Sequence, residues 1–322
     1  MIDITNMSNK TLVQEQYKNI NNLKLRKGLH EKYGTNKVGL HKWMFDQYPF
    51  CSKMKVLELG SGRGELWEYY FENEELKGYD MDITLSDLSD GMVEHIRQSY
   101  SRERISVRKI DILDIPYENE AFDLIIANAM LYHVKDIDLA LAEVRRVLKK
   151  NGVFYCSTSG ENGMIQYLYR ALDELGIPCN HESNISFSLQ NGMQLLKKQF
   201  NKVERRDYED ALEIDVVEDY LEYIYSMASM QGLEQKYYSV LLDYFNSKKV
   251  NGYLHVPKEY GIFVAGEDKL NAVLFNMSGQ LVLNVSSQGE TMMIDTSNIK
   301  KGVYVLSVQG ETTHYTKRIL VK

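Results

Sequence analysis

The chain has 322 residues, 44% of them hydrophobic, enough for one large domain or one domain with a small added module. Its formal net charge of −7 argues against a nucleic-acid backbone as the main partner, because phosphate contacts need clustered Lys and Arg. Cys51, Cys156 and Cys179 lie far apart with no CxxC spacing, which disfavours a disulfide framework or a metal site and predicts reduced thiols.

The opening stretch, MIDITNMSNKTLVQEQYKNINN, has no apolar run and is expected to be neither a secretory signal nor an anchor. No later segment offers the roughly 20 apolar residues of a spanning helix, so no membrane partner is expected. Residues 10–50 read as helices broken by a polar linker from Gly34 to Lys37. Lys55–Leu59 is a short buried strand ending at glycine. Glu65–Glu72 reads as a helix, Ile83–Asp87 as a second strand and Gly91–Tyr100 as a helix. Ile105–Ile110 and Phe122–Ala127 are the third and fourth strands. Asp136–Lys150 is helical, with Ile137, Leu139, Ala140, Leu141, Val144 and Leu148 as its apolar residues. Asn151-Gly152 is expected to stop it before a fifth strand at Val153–Ser157. Residues 161–250 read as mostly helical, with late strands at Val203–Asp207 and Tyr260–Ala265.

Strand and helix in alternation predict an α/β fold: a Rossmann-like, doubly wound, mostly parallel sheet of seven strands. The division expected is an N-terminal helical lid over 1–50, a main domain over 51–266 with a helical insert at about 161–250, and a small all-β unit, sandwich-like, over 267–322.

Glu58-Leu-Gly-Ser-Gly-Arg-Gly64 joins the first strand to the first helix. Glycines there let the chain turn sharply and let a ligand approach the backbone, at the strand ends where such sheets bind ligands. A dinucleotide loop sets a pyrophosphate against the helix N-terminus. Glu65, directly after Gly64, would repel one, so the loop suits a nucleoside without phosphates. The competing account is a tight turn with no ligand. Asp87, at the end of the second strand, can accept both ribose hydroxyls; the alternative is a helix N-cap, but Ser89 and Asp90 are the better caps and leave it free. Asp111 could accept from an adenine amino group, with Asp114 as its competitor and a solvated loop acid as the plain alternative.

These residues resemble the class I S-adenosylmethionine-dependent methyltransferases. The resemblance rests on Val-Leu-Glu-Leu-Gly-Ser-Gly-Arg-Gly at 56–64, Ser-Asp-Leu-Ser-Asp-Gly-Met at 86–92, Ala-Phe-Asp-Leu-Ile-Ile-Ala-Asn at 121–128 and Leu-Ala-Glu-Val-Arg-Arg-Val-Leu-Lys-Lys-Asn-Gly-Val-Phe at 141–154. It covers about residues 12–265 and is closest to the small-molecule branch. His30-Glu-Lys-Tyr-Gly-Thr-Asn-Lys37 and Leu-Tyr-His-Val at 131–134 look like a bacterial subgroup. The resemblance implies S-adenosyl-L-methionine as cofactor, with Glu58 and Gly60 facing its methionine part and Gly62 in the cradling loop. Asp87 would hold the ribose, Leu88 and Met92 the adenine, Asp111 and Ile112 the adenine edge, and Asn128 the region of the amino group. The run Gly78-Tyr-Asp-Met-Asp82 makes Asp80 and Asp82 rivals for the ribose.

The chemistry expected is in-line methyl transfer, in which the protein chiefly aligns the reactants. His133 is the candidate general base, with Tyr132 beside it, both after the fourth strand; a histidine that merely holds its loop is the competing account. Tyr17, Tyr167, Tyr169, Tyr220 and Tyr223 belong to segments that would cap the pocket; each is either a face for a cation or an ordinary amphipathic core residue. Asn128-Ala-Met-Leu lacks the Pro-Pro-aromatic sequence of amino-directed DNA methyltransferases, and Cys156 inside a strand reads as an inert thiol. A small-molecule acceptor is expected, and no nucleic acid.

In the tail, Leu270–Asn276 and Gln280–Val285 flank the turn Met277-Ser278-Gly279, and Met292–Asp295, Val303–Val308 and Tyr315–Val321 read as three more strands. Val273–Val282, Ile299–Val305 and Lys317–Lys322 resemble the sorting domain of proteins exported by the type nine secretion system of Bacteroidota. A missing leader and missing early strands count against export, so a cytoplasmic enzyme with a β appendage is the expectation and sorting the alternative. Two other functions compete: a non-catalytic or secreted binding module that retains the fold, and an NAD-linked oxidoreductase, against which Glu65 argues.

Overall fold

In Lys55–Glu58 (β1) the last three residues are all buried, as expected for a strand covered on both faces. In the computed structural model, which describes residues 28–100, 105–178, 185–227, 230, 233–267, 269–288, 292–310 and 314–322, β1 is an interior strand of a seven-stranded sheet. The helices expected before residue 28, Tyr17 and Cys179 lie outside the described residues. The strand order is β3-β2-β1-β4-β5-β7-β6, with β2 at Asp82–Asp87, β3 at Ile105–Lys109, β4 at Phe122–Asn128, β5 at Leu148–Ser159, β6 at Lys202–Ile214 and β7 at Leu254–Gly266. The first five strands are parallel; β7 runs antiparallel to both β5 and β6. This is the doubly wound, mostly parallel sheet expected.

Alternate residues serve opposite faces. Val56, Leu124, Ile126 and Tyr155 pack in one core cluster, with Trp67 and Ile96. Their neighbours Leu57, Ile125, Ala127 and Cys156 pack in another, with Leu141 and Val144.

Helix α1 (Leu40–Phe45) follows the polar linker; residues 28–33 are also helical. The expected helix at Glu65 begins as a 3-10 turn, Glu65–Trp67, after left-handed Gly64, and continues as α2 (Glu68–Glu72) and α3 (Glu74–Lys77). Helix α4 is Asp90–Tyr100.

Helix α5, Ile137–Val147, is capped by Asp136, which accepts from the Leu139 amide. It ends three residues before the expected stop. The carbonyls of Arg146 and Val147 are taken by the amides of Glu120 and Ala121, and Leu148 turns into the core to pair with Phe122 as the first residue of β5. Asn151-Gly152 therefore lies within a strand with a register shift, not at a helix end.

The segment 161–250 is less helical than expected. It holds α6 (Met164–Glu174), α7 (Gly192–Leu196), α8 (Val217–Ser226) and α9 (Tyr238–Ser247), but β6 runs for 13 residues and pairs with β7 along its whole length. The outer ends of β6 and β7 leave the main sheet as an arm. Leu212, Ile214, Leu254 and Val256 on that arm share a core cluster with α6, α8, α9 and Leu29 and Tyr33. The 30–36 segment fastens to the same arm through the Gly34–Leu212 bridge and the Thr35 amide on the Ala211 carbonyl.

The C-terminal unit is one antiparallel sheet, β11-β10-β8-β9, formed by Lys269–Asn276 (β8), Leu281–Gln288 (β9), Gly302–Gln309 (β10) and His314–Val321 (β11). The strand expected at Met292–Asp295 is absent; those residues belong to no strand. Leu274, Tyr304 and Val321 form the centre of its core, against which Ile299 packs.

Candidate active site

Three glycines with positive φ, Gly60 (+67°), Gly62 (+56°) and Gly64 (+77°), turn the chain from β1 toward α2. They differ in what surrounds them. A Cβ on Gly60 would meet Met130 at 3.0 Å and one on Gly64 would meet the Tyr100 ring at 2.6 Å, whereas one on Gly62 meets nothing within 4 Å. Gly62 thus presents open backbone, and Gly64 is packed.

Asp87 closes on this loop. Its Oδ2 accepts from the Gly62 amide at 3.0 Å and its Oδ1 from the Ser89 amide at 2.8 Å. The expectation that Asp87 is left free by better caps is corrected: it holds both the loop and the turn into α4. Burial pushes its carboxyl above the usual carboxylate range, against the amides of Ser89, Gly62 and Leu88. Asp82, the rival, sits at the opposite end of β2, paired with Lys55, and Asp80 lies there too, its carbonyl accepting from Lys53. Neither shares the end of the sheet that carries the glycine loop.

Glu58 is 2% exposed, and its Oε2 accepts from the Trp67 indole N–H at 2.6 Å. Burial raises its carboxyl above the ordinary range, opposed by donors from Trp67, Ser61 and Asn128 and reinforced by the charge of Asp87. Asn128, the last residue of β4, donates through Nδ2 to the Tyr48 hydroxyl at 2.8 Å, while its Oδ1 is buried with no hydrogen-bond partner.

One cavity of about 640 Å³ runs from this loop toward the cap. Glu58, Gly60, Gly62, Asn128, Tyr132 and His133 line it, and so do Tyr169 and Tyr223 from the capping helices. His133 ends a 3-10 turn, Leu131–His133, with its ring 4.4 Å from that of Tyr132. Tyr167 and Tyr220 serve the cap core instead: Tyr220 is 1% exposed, against Phe245. Asp87, Leu88, Met92, Asp111 and Ile112 lie outside the lining, at the neighbouring ends of β2 and β3. Leu88 is 41% exposed, Ile112 is buried, and Asp111 is exposed with its Oδ1 turned back on the Leu113 amide. Cys156 is buried, which raises its thiol far above the normal range, as expected of an inert core thiol.

Sequence reasoning missed the far wall, built from Ser157–Gly160 and Glu259–Gly261. Its signal was the glycine-rich end of β5, Ser159-Gly-Glu-Asn-Gly163. Gly160 has no room for a side chain, since a Cβ would meet the Glu259 carboxylate at 2.0 Å. Tyr48 was also missed; nothing in its local sequence separates it from other lid aromatics.

Among the described residues no helix is long and apolar enough to cross a membrane, and no group of three His, Cys, Asp or Glu could hold a metal ion.

Residues 57–156 match the family model described as a methyltransferase domain, and residues 250–322 match a secretion system C-terminal sorting domain. The chain is 26% identical over 208 residues to a malonyl-[acyl-carrier protein] O-methyltransferase of Priestia megaterium, a match covering 63% of this chain and 68% of that one. It is 31% identical over 105 residues to the polyketide synthase component of the lovastatin nonaketide synthase of Aspergillus terreus, covering 31% of this chain and 3% of that protein. Among solved structures, the YcgJ protein of Bacillus subtilis is 17% identical with a TM-score of 0.47, covering 70% of this chain and 97% of that one. The chain therefore carries an S-adenosylmethionine-dependent methyltransferase domain followed by a secretion system C-terminal sorting domain.

Proposed function

We propose that the chain transfers the cofactor's methyl group to a small-molecule acceptor held beneath the cap. The observation that carries this reading is the continuity of one cavity from the glycine loop, past Asn128, to Tyr132 and His133 and on to the tyrosines of the capping helices.

The site's own residues fit S-adenosylmethionine. The open backbone at Gly62 admits a ligand against the main chain, and the unpartnered Asn128 Oδ1 lacks a donor such as an amino group. In this reading Glu58, Gly60 and Asn128 hold the methionine part, and Asp87 the ribose. Leu88 and Met92 flank the adenine, with Asp111 and Ile112 at its edge. When bound, the cofactor supplies a sulfonium-activated methyl group. The protein's part is alignment, which accounts for about 7–11 kcal/mol in well-oriented reactions. His133 takes the acceptor's proton where one must leave, and Tyr132, its ring tilted at 58° against that of His133, holds the ring in place.

The test is transfer of a labelled methyl group from S-adenosylmethionine into an extract of the host, with free acids and acyl thioesters assayed first in view of the relatives' names. Transfer that needs His133 and a product of low mass support the reading; label in protein or nucleic acid overturns it.

A second reading concerns location. The match of residues 250–322 to a sorting domain supports export over the cytoplasmic location expected from the sequence. Immunoblotting of cell fractions and medium decides between them.

A further inference from the structure

Asn128 has an uneven environment. Its Nδ2 side is occupied: the Tyr48 hydroxyl accepts from it at 2.8 Å, and the Glu58 carboxyl faces the same amide. Its Oδ1 side has no partner, although the atom is buried. Turned over, the amide would set its oxygen against the Glu58 carboxyl. The arrangement found does the reverse and leaves the oxygen as the unused acceptor of a residue that lines the cavity.

Tyr48 is suited to hold it so. It is 7% exposed and lies in the turn after α1, outside every motif of the glycine loop. Its ring is wedged edge-on against Tyr155 of β5 at 5.2 Å and Phe50 at 5.6 Å, so the hydroxyl is carried by a packed ring. Which way an asparagine amide faces is decided by its partners, because its oxygen only accepts and its nitrogen only donates.

We propose that Tyr48 is a positioning residue for cofactor recognition: it fixes the Asn128 side chain with Oδ1 turned to receive the α-amino group of S-adenosylmethionine. The proposal rests on the reading that Asn128 meets that group, and the two fail differently. It also makes the N-terminal segment part of cofactor selection, although that segment contributes no glycine-loop residue.

The experiment is calorimetry on the full chain with three probes: S-adenosylhomocysteine, its analogue lacking only the α-amino group, and 5′-methylthioadenosine. The unaltered chain is expected to prefer S-adenosylhomocysteine over the deaminated analogue by about tenfold or more. Tyr48→Phe is expected to cut that preference about fivefold, through weaker binding of S-adenosylhomocysteine alone, the loss of one neutral hydrogen bond. Asn128→Ala is expected to abolish it. A full preference in Tyr48→Phe with none in Asn128→Ala overturns the role of Tyr48 and leaves that of Asn128. A full preference in Asn128→Ala overturns both. Binding of 5′-methylthioadenosine reports a folded site. If Tyr48→Phe loses that ligand, Tyr48→His, which keeps a ring acceptor, replaces it: a retained preference supports the proposal and a lost one overturns it.

Discussion

The Asp87 carboxylate accepts the amide of Gly62 at 3.0 Å, so the end of β2 and the glycine loop after β1 are one unit across 25 residues of sequence. With its other oxygen on Ser89, Asp87 also ties that unit to the start of α4. Asp87→Ala removes both acceptors and any ribose contact together. Calorimetry should show S-adenosylhomocysteine binding weakened by about 10–100-fold, the equivalent of about 1.4–2.8 kcal/mol. Asp82→Ala, at the far end of the strand, should leave binding unchanged.

Gly62 and Gly64 both have positive φ and should respond to substitution in different ways. Gly62→Ala strains the chain by about 1–2 kcal/mol and meets no neighbour, so its main loss should appear in cofactor affinity. Gly64→Ala carries the same strain and also drives a Cβ into the Tyr100 ring, which stacks on Phe71. Its main loss should appear as a lower melting temperature of the ligand-free protein.

His30 gives the fold an acid sensitivity of known sign. Burial, with the charge of Lys258 adding to it and Asp210 opposing, lowers its pKa from 6.5 to about 4. The folded state therefore keeps the ring neutral where the unfolded state binds a proton. The resulting stability is complete above pH 6.5 and is lost as pH falls toward 4, by about 3 kcal/mol at 1.36 kcal/mol per pH unit. Urea unfolding at pH 7, 5.5 and 4.5 should show this decline, and His30→Phe should reduce it.

The arm of β6 and β7 encloses an ion pair. Lys258 and Asp210 are 7% and 2% exposed at their side chains, and Asp210 also accepts from Thr35 and from the Asn36 amide. Lys258→Met leaves that carboxylate buried without its cation, which costs about 3–5 kcal/mol when one partner of such a pair is removed. Because Asp210 anchors the 35–36 segment, hydrogen exchange should rise first there and along the outer half of β6.

Strand β7 sets where the chain can be cut. The sorting-domain match begins at residue 250, yet Leu254–Gly266 lies between β5 and β6 in the catalytic sheet. A chain ending at Gly266 should fold and bind S-adenosylhomocysteine with affinity close to that of the full chain. A chain ending at 249 should give no cooperative melting transition.

The parallel half of the sheet was legible because its strands are apolar runs set between helices, and because Gly60, Gly62 and Gly64 mark the first crossover unmistakably. What misled was context. Asn151-Gly152 is a good helix stop, but the Glu120 and Ala121 amides end the helix earlier by capturing its last carbonyls. The strand expected at Val203–Asp207 is present, but it runs on to Ile214 through a charged stretch with no apolar alternation, because ion pairs such as Arg206 with Glu204 and its ladder to β7 hold it. Asp87 stood out from its place at a strand end, but its bond to Gly62, which depends on a register between strands, did not. The Glu259–Gly261 wall reaches the cavity, and Tyr48 reaches Asn128, only through tertiary packing.

The arm formed by β6 and β7 has a mechanical consequence. The roof over the cavity and its Glu259–Gly261 wall hang on the same two strands, bonded without interruption from Lys202–Gly266 to Ile214–Leu254. Swinging the roof aside as a rigid door would break that ladder. Traffic into the chamber must therefore pass by local shifts of helices and turns around a stationary frame, and a change of clientele would come from re-facing those helices, with the hinge-free frame left as it is.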